Sequence, residues 1–146
     1  MRFQISTEKA LLDVDAIFAF LSTCYWSPGI ARARVERAIE NSMCFGVYAL
    51  DGAATCPRQV GFARVITDKA TYGYIADVFV LEEYRGRGLS KMLMKAIVEH
   101  PELQGVRRLC LMTRDAQGLY AQFGFAATPD PTRYMEVVDR ESYKRD

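Results

Sequence analysis

The chain of 146 residues is poor in the groups from which metal centres and disulfide frameworks are built. It has one histidine, His100, and four cysteines, Cys24, Cys44, Cys56 and Cys110, scattered without a Cys-x-x-Cys pair. A structural zinc site needs about four clustered Cys or His ligands, and a disulfide scaffold needs patterned cysteines, so neither is expected. Cys44 and Cys110 fall inside apolar, strand-like runs, where a thiol acts as a packing group. His100 precedes Pro101 at the end of a helical pattern, where an imidazole can meet the last carbonyls. An excess of charge of one sign is also missing: 19 Lys and Arg against 18 Asp and Glu leave a formal +1. Proteins that grip a phosphate backbone carry a basic excess or stripe, so nucleic acid is not the expected partner. No apolar run reaches the roughly 18 residues that a membrane span requires. Glu8 and Lys9 bring charge into the N-terminal region before a signal-peptide core accumulates. A cytoplasmic protein with no membrane or metal partner is the expectation.

What is present is a globular composition, 50% hydrophobic and 25% charged, of a length that suits a single domain over residues 1–146. No repeat, linker or low-complexity segment divides it. Residues 3–6 alternate as a short strand, and Asp13 or Asp15 can cap a helix with Val14, Ile17, Phe18 and Leu21 on one face. A break at residues 23–30 precedes a second helix with Val35, Ala38 and Ile39 inward and a solvated charged face. Residues 43–50 and 59–67 read as a hairpin, with a turn opening at Asp51-Gly52 and a bulge near Gly61. Residues 72–80 form the next strand. Further strands are predicted at 107–112 and 134–138, with a short helix over 115–122 between them closing at Gly124. Hairpins followed by a strand-helix-strand crossover predict an α/β protein with a mixed sheet.

The densest signal lies at residues 78–95, where an apolar strand enters the turn Arg85-Gly86-Arg87-Gly88-Leu89-Ser90 and then a helix. Glycine allows a tight or left-handed turn and close approach of an anion to the backbone. Leu89, Met92, Leu93, Ala96 and Ile97 follow helical spacing, so a helix begins at the glycines and its unpaired N–H groups point back into the turn. Those donors, the helix dipole and two arginines favour a phosphate. The dinucleotide fingerprint is absent, because Lys91 stands where its third glycine belongs, and the order Gly-Leu-Ser-Lys does not make a P-loop.

This turn resembles the Arg/Gln-x-x-Gly-x-Gly/Ala acyl-CoA pyrophosphate loop of the GNAT superfamily of N-acetyltransferases, with Ser90 standing where that family usually has Gly or Ala. A second match follows in order: Asp115-Ala116-Gln117-Gly118-Leu119-Tyr120-Ala121-Gln122-Phe123-Gly124-Phe125 resembles the family's later motif, a helix with an aromatic pair before Gly-Phe. The layout resembles the family over nearly the whole chain. It implies a GNAT-like acyl-CoA N-acyltransferase fold, a mostly antiparallel mixed sheet flanked by helices, with a splayed parallel strand pair at the cofactor site. It implies an acetyl-CoA-dependent N-acetyltransferase acting on a primary amine of a small molecule or peptide, by direct transfer in a ternary complex. A non-catalytic acyl-CoA-binding regulatory module is the alternative, and a homodimer is common among such relatives.

The resemblance also implies roles. Residues 81–90 would cover the pyrophosphate, with Arg85, Gly86, Arg87, Gly88, Leu89 and Ser90 as the residues that bind it. Main-chain N–H groups at Phe79 and Val80 would polarise the thioester carbonyl, with Thr113 and Arg114 at the end of the neighbouring strand. Tyr120 matches the family tyrosine near the coenzyme sulfur. A phenol titrates near pH 10 and so keeps a proton to donate at neutral pH; simple packing of its ring is the other reading. Asp77 lies among Ile75, Ala76, Val78 and Phe79, where a carboxylate is costly to ionise unless paired. It is a candidate base, and equally a structural partner for Arg64. Tyr25, Trp26 and Tyr74, with Tyr134, are the expected acceptor-binding aromatics, although Trp26 could serve only to anchor its loop.

Overall fold

Asp13 fixes where the first helix begins. Its Oδ1 accepts from the Ala16 N–H at 3.0 Å, satisfying one of the donors that a helix start leaves unpaired. Helix α1 (Val14–Leu21) then buries Ile17 and Leu21, one turn apart. Helix α2 (Arg32–Glu40) buries Val35 and Ile39 at the same spacing. The computed structural model describes residues 1–51 and 56–146. Gly52, the second residue of the predicted Asp51-Gly52 turn, lies outside the described residues.

Among the described residues, five strands run β1 (Arg2–Ser6), β2 (Met43–Leu50), β3 (Arg58–Thr67), β4 (Tyr72–Val80) and β5 (Arg108–Leu111). They lie side by side in that order. The first three pairings are antiparallel and β4–β5 is parallel. The parallel step needs a crossover, which helix α3 (Leu89–Val98) supplies. A short helix α4 (Gln117–Ala121) follows β5.

Each strand feeds two apolar layers because successive side chains leave opposite faces. On β2, Phe45, Val47 and Ala49 join one cluster with Leu89, Leu93, Met94 and Ile97 of α3 and with Tyr120 of α4. Cys44 joins a second cluster with Ile17 and Leu21 of α1 and Val35 and Ile39 of α2. Two irregularities shift the alternation. On β3, Val60 is the extra residue beside Gly61, since Val47 faces Gly61 and Tyr48 faces Gln59. On β4, Asp77 and Val78 oppose only Ala63, since Phe62 faces Phe79 and Arg64 faces Ala76. The second bulge moves the phase by one, so Ile75 and Val80 share the α3 face while Phe79 reaches the other layer.

Two sequence expectations are corrected. Residues 134–138 make no ladder with any strand. Pro129 and Pro131 lack an N–H for a ladder, and Asp130 instead caps one 3-10 turn, Pro131–Arg133, accepting from the Thr132 N–H at 3.1 Å. β5 therefore remains the edge of the sheet. The His100 imidazole caps the next turn, Pro101–Leu103, its Nδ1 accepting from the Glu102 N–H at 3.1 Å, and it is the main-chain N–H of His100 that donates to the Ile97 carbonyl at 3.2 Å. Among the described residues, no helix is long and apolar enough to cross a membrane.

Leu93 is fully buried where α3 meets the sheet. Leu93→Ala is expected to cost about 2–5 kcal/mol, read as a lower urea midpoint with an unchanged denaturant slope. A loss under about 1 kcal/mol would show that this layer is not tightly packed.

Candidate active site

β4 and β5 pair only from Tyr72↔Arg108 to Ile75↔Leu111. Beyond that point β5 ends, whereas β4 continues to Val80, still paired with β3 as far as Gly61↔Val80. One edge of residues 76–80 thus faces a slit instead of a strand. The divergence begins beside the β4 bulge, where Asp77 takes a left-handed backbone conformation with φ of 55°, rarely adopted by a residue with a side chain. A bulge bends its strand, which accounts for β4 leaving its parallel neighbour here.

The slit opens toward the glycine turn. Gly86 and Gly88 both have φ of 78°, a region where a Cβ is strained, so glycine is what the turn requires. Gly88 is the N-cap of α3, and no side chain caps that helix. Its first N–H groups face an open cleft of about 180 Å³, lined by Val80, Tyr84, Arg85, Gly86, Gly88, Leu89, Ser90, Lys91 and Leu119. Unpaired donors at a helix start and the local positive potential suit a phosphate. The two arginines differ in use. Arg85 Nε donates to the Val80 carbonyl at 3.1 Å, tying the turn back to β4. Arg87 lies over the Tyr84 ring, 5.5 Å from its centroid, and Arg58 lies 5.4 Å from the same centroid. The sequence reading missed Tyr84 and Lys91 in this cleft; an aromatic directly before Arg85-Gly86 was the available signal. Glu83, exposed to solvent, pairs with Arg58 at 2.8 Å.

At the other end of the slit, Thr113 Oγ1 accepts from the Ala116 N–H at 3.0 Å and sets the approach to α4. Tyr120 of α4 is buried in the same apolar cluster as Val80 and Leu89. Its ring meets Phe125 edge-on at 6.2 Å. Burial raises the Tyr120 phenol above its ordinary pKa, and the nearby Tyr25 phenol and Asp115 carboxylate raise it further. Its hydroxyl therefore lies within electrostatic reach of the loop between α1 and α2.

That loop carries Tyr25 and Trp26, both exposed, at 54% and 38%. The Arg114 guanidinium sits 3.8 Å from the Tyr25 ring centroid, and Tyr25 meets Trp26 edge-on at 5.1 Å. Trp26 Nε1 donates to Asp77 Oδ1 at 3.0 Å. Arg64 Nε donates to the other oxygen, Oδ2, at 2.6 Å. The structural partner foreseen for Asp77 is therefore in place, with Trp26 as an unforeseen second donor. Phe79 stacks on Phe20 of α1 with centroids 4.0 Å apart. Tyr74 lies opposite Cys110 on the paired half of β4, and burial raises its phenol pKa, with Asp77 and Arg64 near enough to act on it. Tyr134 is exposed, and its hydroxyl donates to Glu136 Oε2 at 3.0 Å.

The sequence model of the acetyltransferase (GNAT) domain matches residues 40–127. A Gibberella zeae protein named as a candidate acetyltransferase is 34% identical over 137 residues, covering 82% of this chain and 76% of that protein. The crystal structure of a candidate GNAT-family acetyltransferase from Xanthomonas campestris pv. campestris superposes with a TM-score of 0.89 at 48% identity, covering 98% of this chain and 97% of that one. An acetyltransferase assigned in Clostridium acetobutylicum and solved with acetyl-CoA shares the fold, with a TM-score of 0.64 at 14% identity, covering 94% and 95% of the two chains.

A raised phenol pKa disfavours the phenolate in the folded state. The stability it contributes is complete below the unfolded value of about 10 and is lost as pH rises past it. Absorbance titration at 295 nm of wild type minus Tyr120→Phe is expected to isolate a phenol with a midpoint above about 10. A midpoint at or below that value would mean the hydroxyl is not desolvated.

Proposed function

Since the chain belongs to the GNAT family of acetyltransferases, we propose that it moves an acetyl group from acetyl-CoA to a primary amine of a small molecule or peptide, directly within a ternary complex. The observation that carries this reading is the half of β4 that outlasts β5, flanked by the glycine turn at one end and a buried phenol at the other. Backbone groups on an unpaired strand edge need partners, and an extended arm with amide groups is a matching guest, as in strand addition.

Acetyl-CoA, when bound, supplies the acyl group and a thiol leaving group. Main-chain N–H groups of Gly86, Gly88, Leu89 and Ser90 would hold its diphosphate, with Arg85 and Arg87 adding charge beside them. Phe79 and Val80 line the slit where main-chain N–H groups can polarise a carbonyl, a preorganised arrangement that needs no reorganisation during reaction. Thr113 and Arg114 flank the same stretch from the β5 side. Tyr120 Oη, desolvated and protonated at neutral pH, is the proton donor for a departing thiolate. Tyr25 and Trp26 form the acceptor wall, with Tyr74 further along β4. Both oxygens of Asp77 already accept bonds, which supports water as the acceptor of the amine's proton.

The test is coenzyme release across an amine panel with wild type and Tyr120→Phe side by side. Wild type is expected to turn over at least one amine, and the variant to lose about 10²–10⁴-fold in kcat. Acetyl-CoA should raise the Tm of both, because a ligand selective for the native state stabilises it by about 2.7 kcal/mol at a hundredfold excess over Kd. A Tm rise without turnover on any amine would favour a non-catalytic acyl-CoA-binding module. No Tm rise would remove the cofactor itself.

A further inference from the structure

The loop between α1 and α2 is fastened to both of the strands that diverge at the slit. On the β4 side, Trp26 Nε1 donates to Asp77 Oδ1 at 3.0 Å. On the β5 side, Arg114, just beyond the end of that strand, covers the ring of Tyr25 with its guanidinium 3.8 Å from the centroid. The two aromatics touch edge to face, 5.1 Å between centroids. Tyr25 and Trp26 thus form a strap across the mouth of the slit.

The β4 attachment is built with care. Asp77 is mostly buried, its side chain 11% exposed, and its left-handed backbone places it at the bulge. Its second oxygen takes Arg64 Nε at 2.6 Å, and Arg64 donates its other arm to Ser42 Oγ at 3.1 Å. A chain of bonds therefore runs from Ser42 at the start of β2, through Arg64 on β3 and Asp77 on β4, to the indole. Charge-assisted bonds of this kind are the strong ones, and a low local dielectric makes a satisfied network rigid. The aromatic side of the indole is also held, since Trp26 lies 6.0 Å from Phe20, which stacks on Phe79 of β4.

We propose that Asp77 is a positioning residue for the acceptor amine, holding the Tyr25–Trp26 strap at a set height over the slit by its bond to the indole of Trp26. This rests on the acetyltransferase reading above and assigns Asp77 to substrate placement, with no proton transfer of its own. The amine enters past the strap, so loosening it weakens acceptor binding, while the coenzyme, held by main-chain groups at the glycine turn and along β4 and not by the Asp77 side chain, keeps its contacts.

The test uses full-length wild type, Asp77→Asn, Asp77→Ala and Trp26→Phe with an amine that wild type acetylates. Trp26→Phe keeps a ring and removes the N–H donor, and Asp77→Asn keeps an acceptor oxygen for the indole. Amine KM is expected to rise about 5- to 20-fold in Asp77→Ala and Trp26→Phe and less in Asp77→Asn, with acetyl-CoA KM within about twofold of wild type. The double variant Trp26→Phe/Asp77→Ala should do no worse than Asp77→Ala, because that variant already removes the indole bond along with the Arg64 pair. Trp26 is the single tryptophan, so its emission should shift to the red in Asp77→Ala while the far-ultraviolet circular dichroism stays native. A large fall in kcat of Asp77→Asn at unchanged amine KM, with loss of the acid limb of the pH–rate profile, would overturn the proposal in favour of a base. Amine KM within about twofold in Trp26→Phe would also overturn it. A wild type that turns over no amine would instead sink the acetyltransferase reading, and an unshifted emission in Asp77→Ala would still count against the strap.

Discussion

The whole arrangement depends on a mismatch in strand length: β4 keeps its antiparallel hold on β3 as far as Val80, while its parallel hold on β5 ends at Ile75↔Leu111. A sheet interior normally pairs both edges of every strand, because an unpaired buried backbone group costs as much as a lost hydrogen bond. Here one edge is left open in the middle of the fold. The bulge at residues 77–78 makes this stable by bending β4 away, and the phase shift it introduces still lands Val80 on the α3 face and Phe79 on the α1–α2 face. The same local device creates the opening and keeps both apolar layers filled.

Electrostatics then divides the slit by function. The chain as a whole is nearly neutral, so no long-range field gathers anions. Attraction is confined to the turn before α3, where two left-handed glycines expose helix-start donors beside Arg85, Arg87 and Lys91. A small anion fits such a site. At the far end the environment is apolar and aromatic, with the Tyr120 phenol held protonated by burial. Between them the Arg64–Asp77 pair sits compensated, its charges spent on Ser42 and Trp26.

Much of this was legible in the residues, for identifiable reasons. The glycines, the helical spacing after them and the later Gly-Phe motif are local signals, and local geometry follows from local sequence. The hairpin and the crossover followed from hydrophobic period and turn residues, whereas the full order of strands in the sheet did not. The misses are non-local. Residues 134–138 alternate like a strand, yet a strand must also reach a partner edge, and the two prolines and the Asp130-capped turn before it precede a segment that stays off the open edge of β5. His100 was placed one turn too early because the helix ends at Val98 and the next turn supplies a nearer donor. The reach of Trp26 to Asp77, 51 residues along the chain, leaves no trace in spacing. Arg87 on Tyr84 is likewise a contact that only the folded turn reveals.

The central claim is that the open edge of β4 is a berth for an extended thioester arm. A crystal structure with acetyl-CoA tests it most directly. The account predicts the diphosphate on the N–H groups following Gly86, the pantetheine amides bonded to main-chain groups of residues 76–80, and the sulfur beside Tyr120 Oη. A coenzyme bound elsewhere, or β5 extended to close the slit, would contradict it.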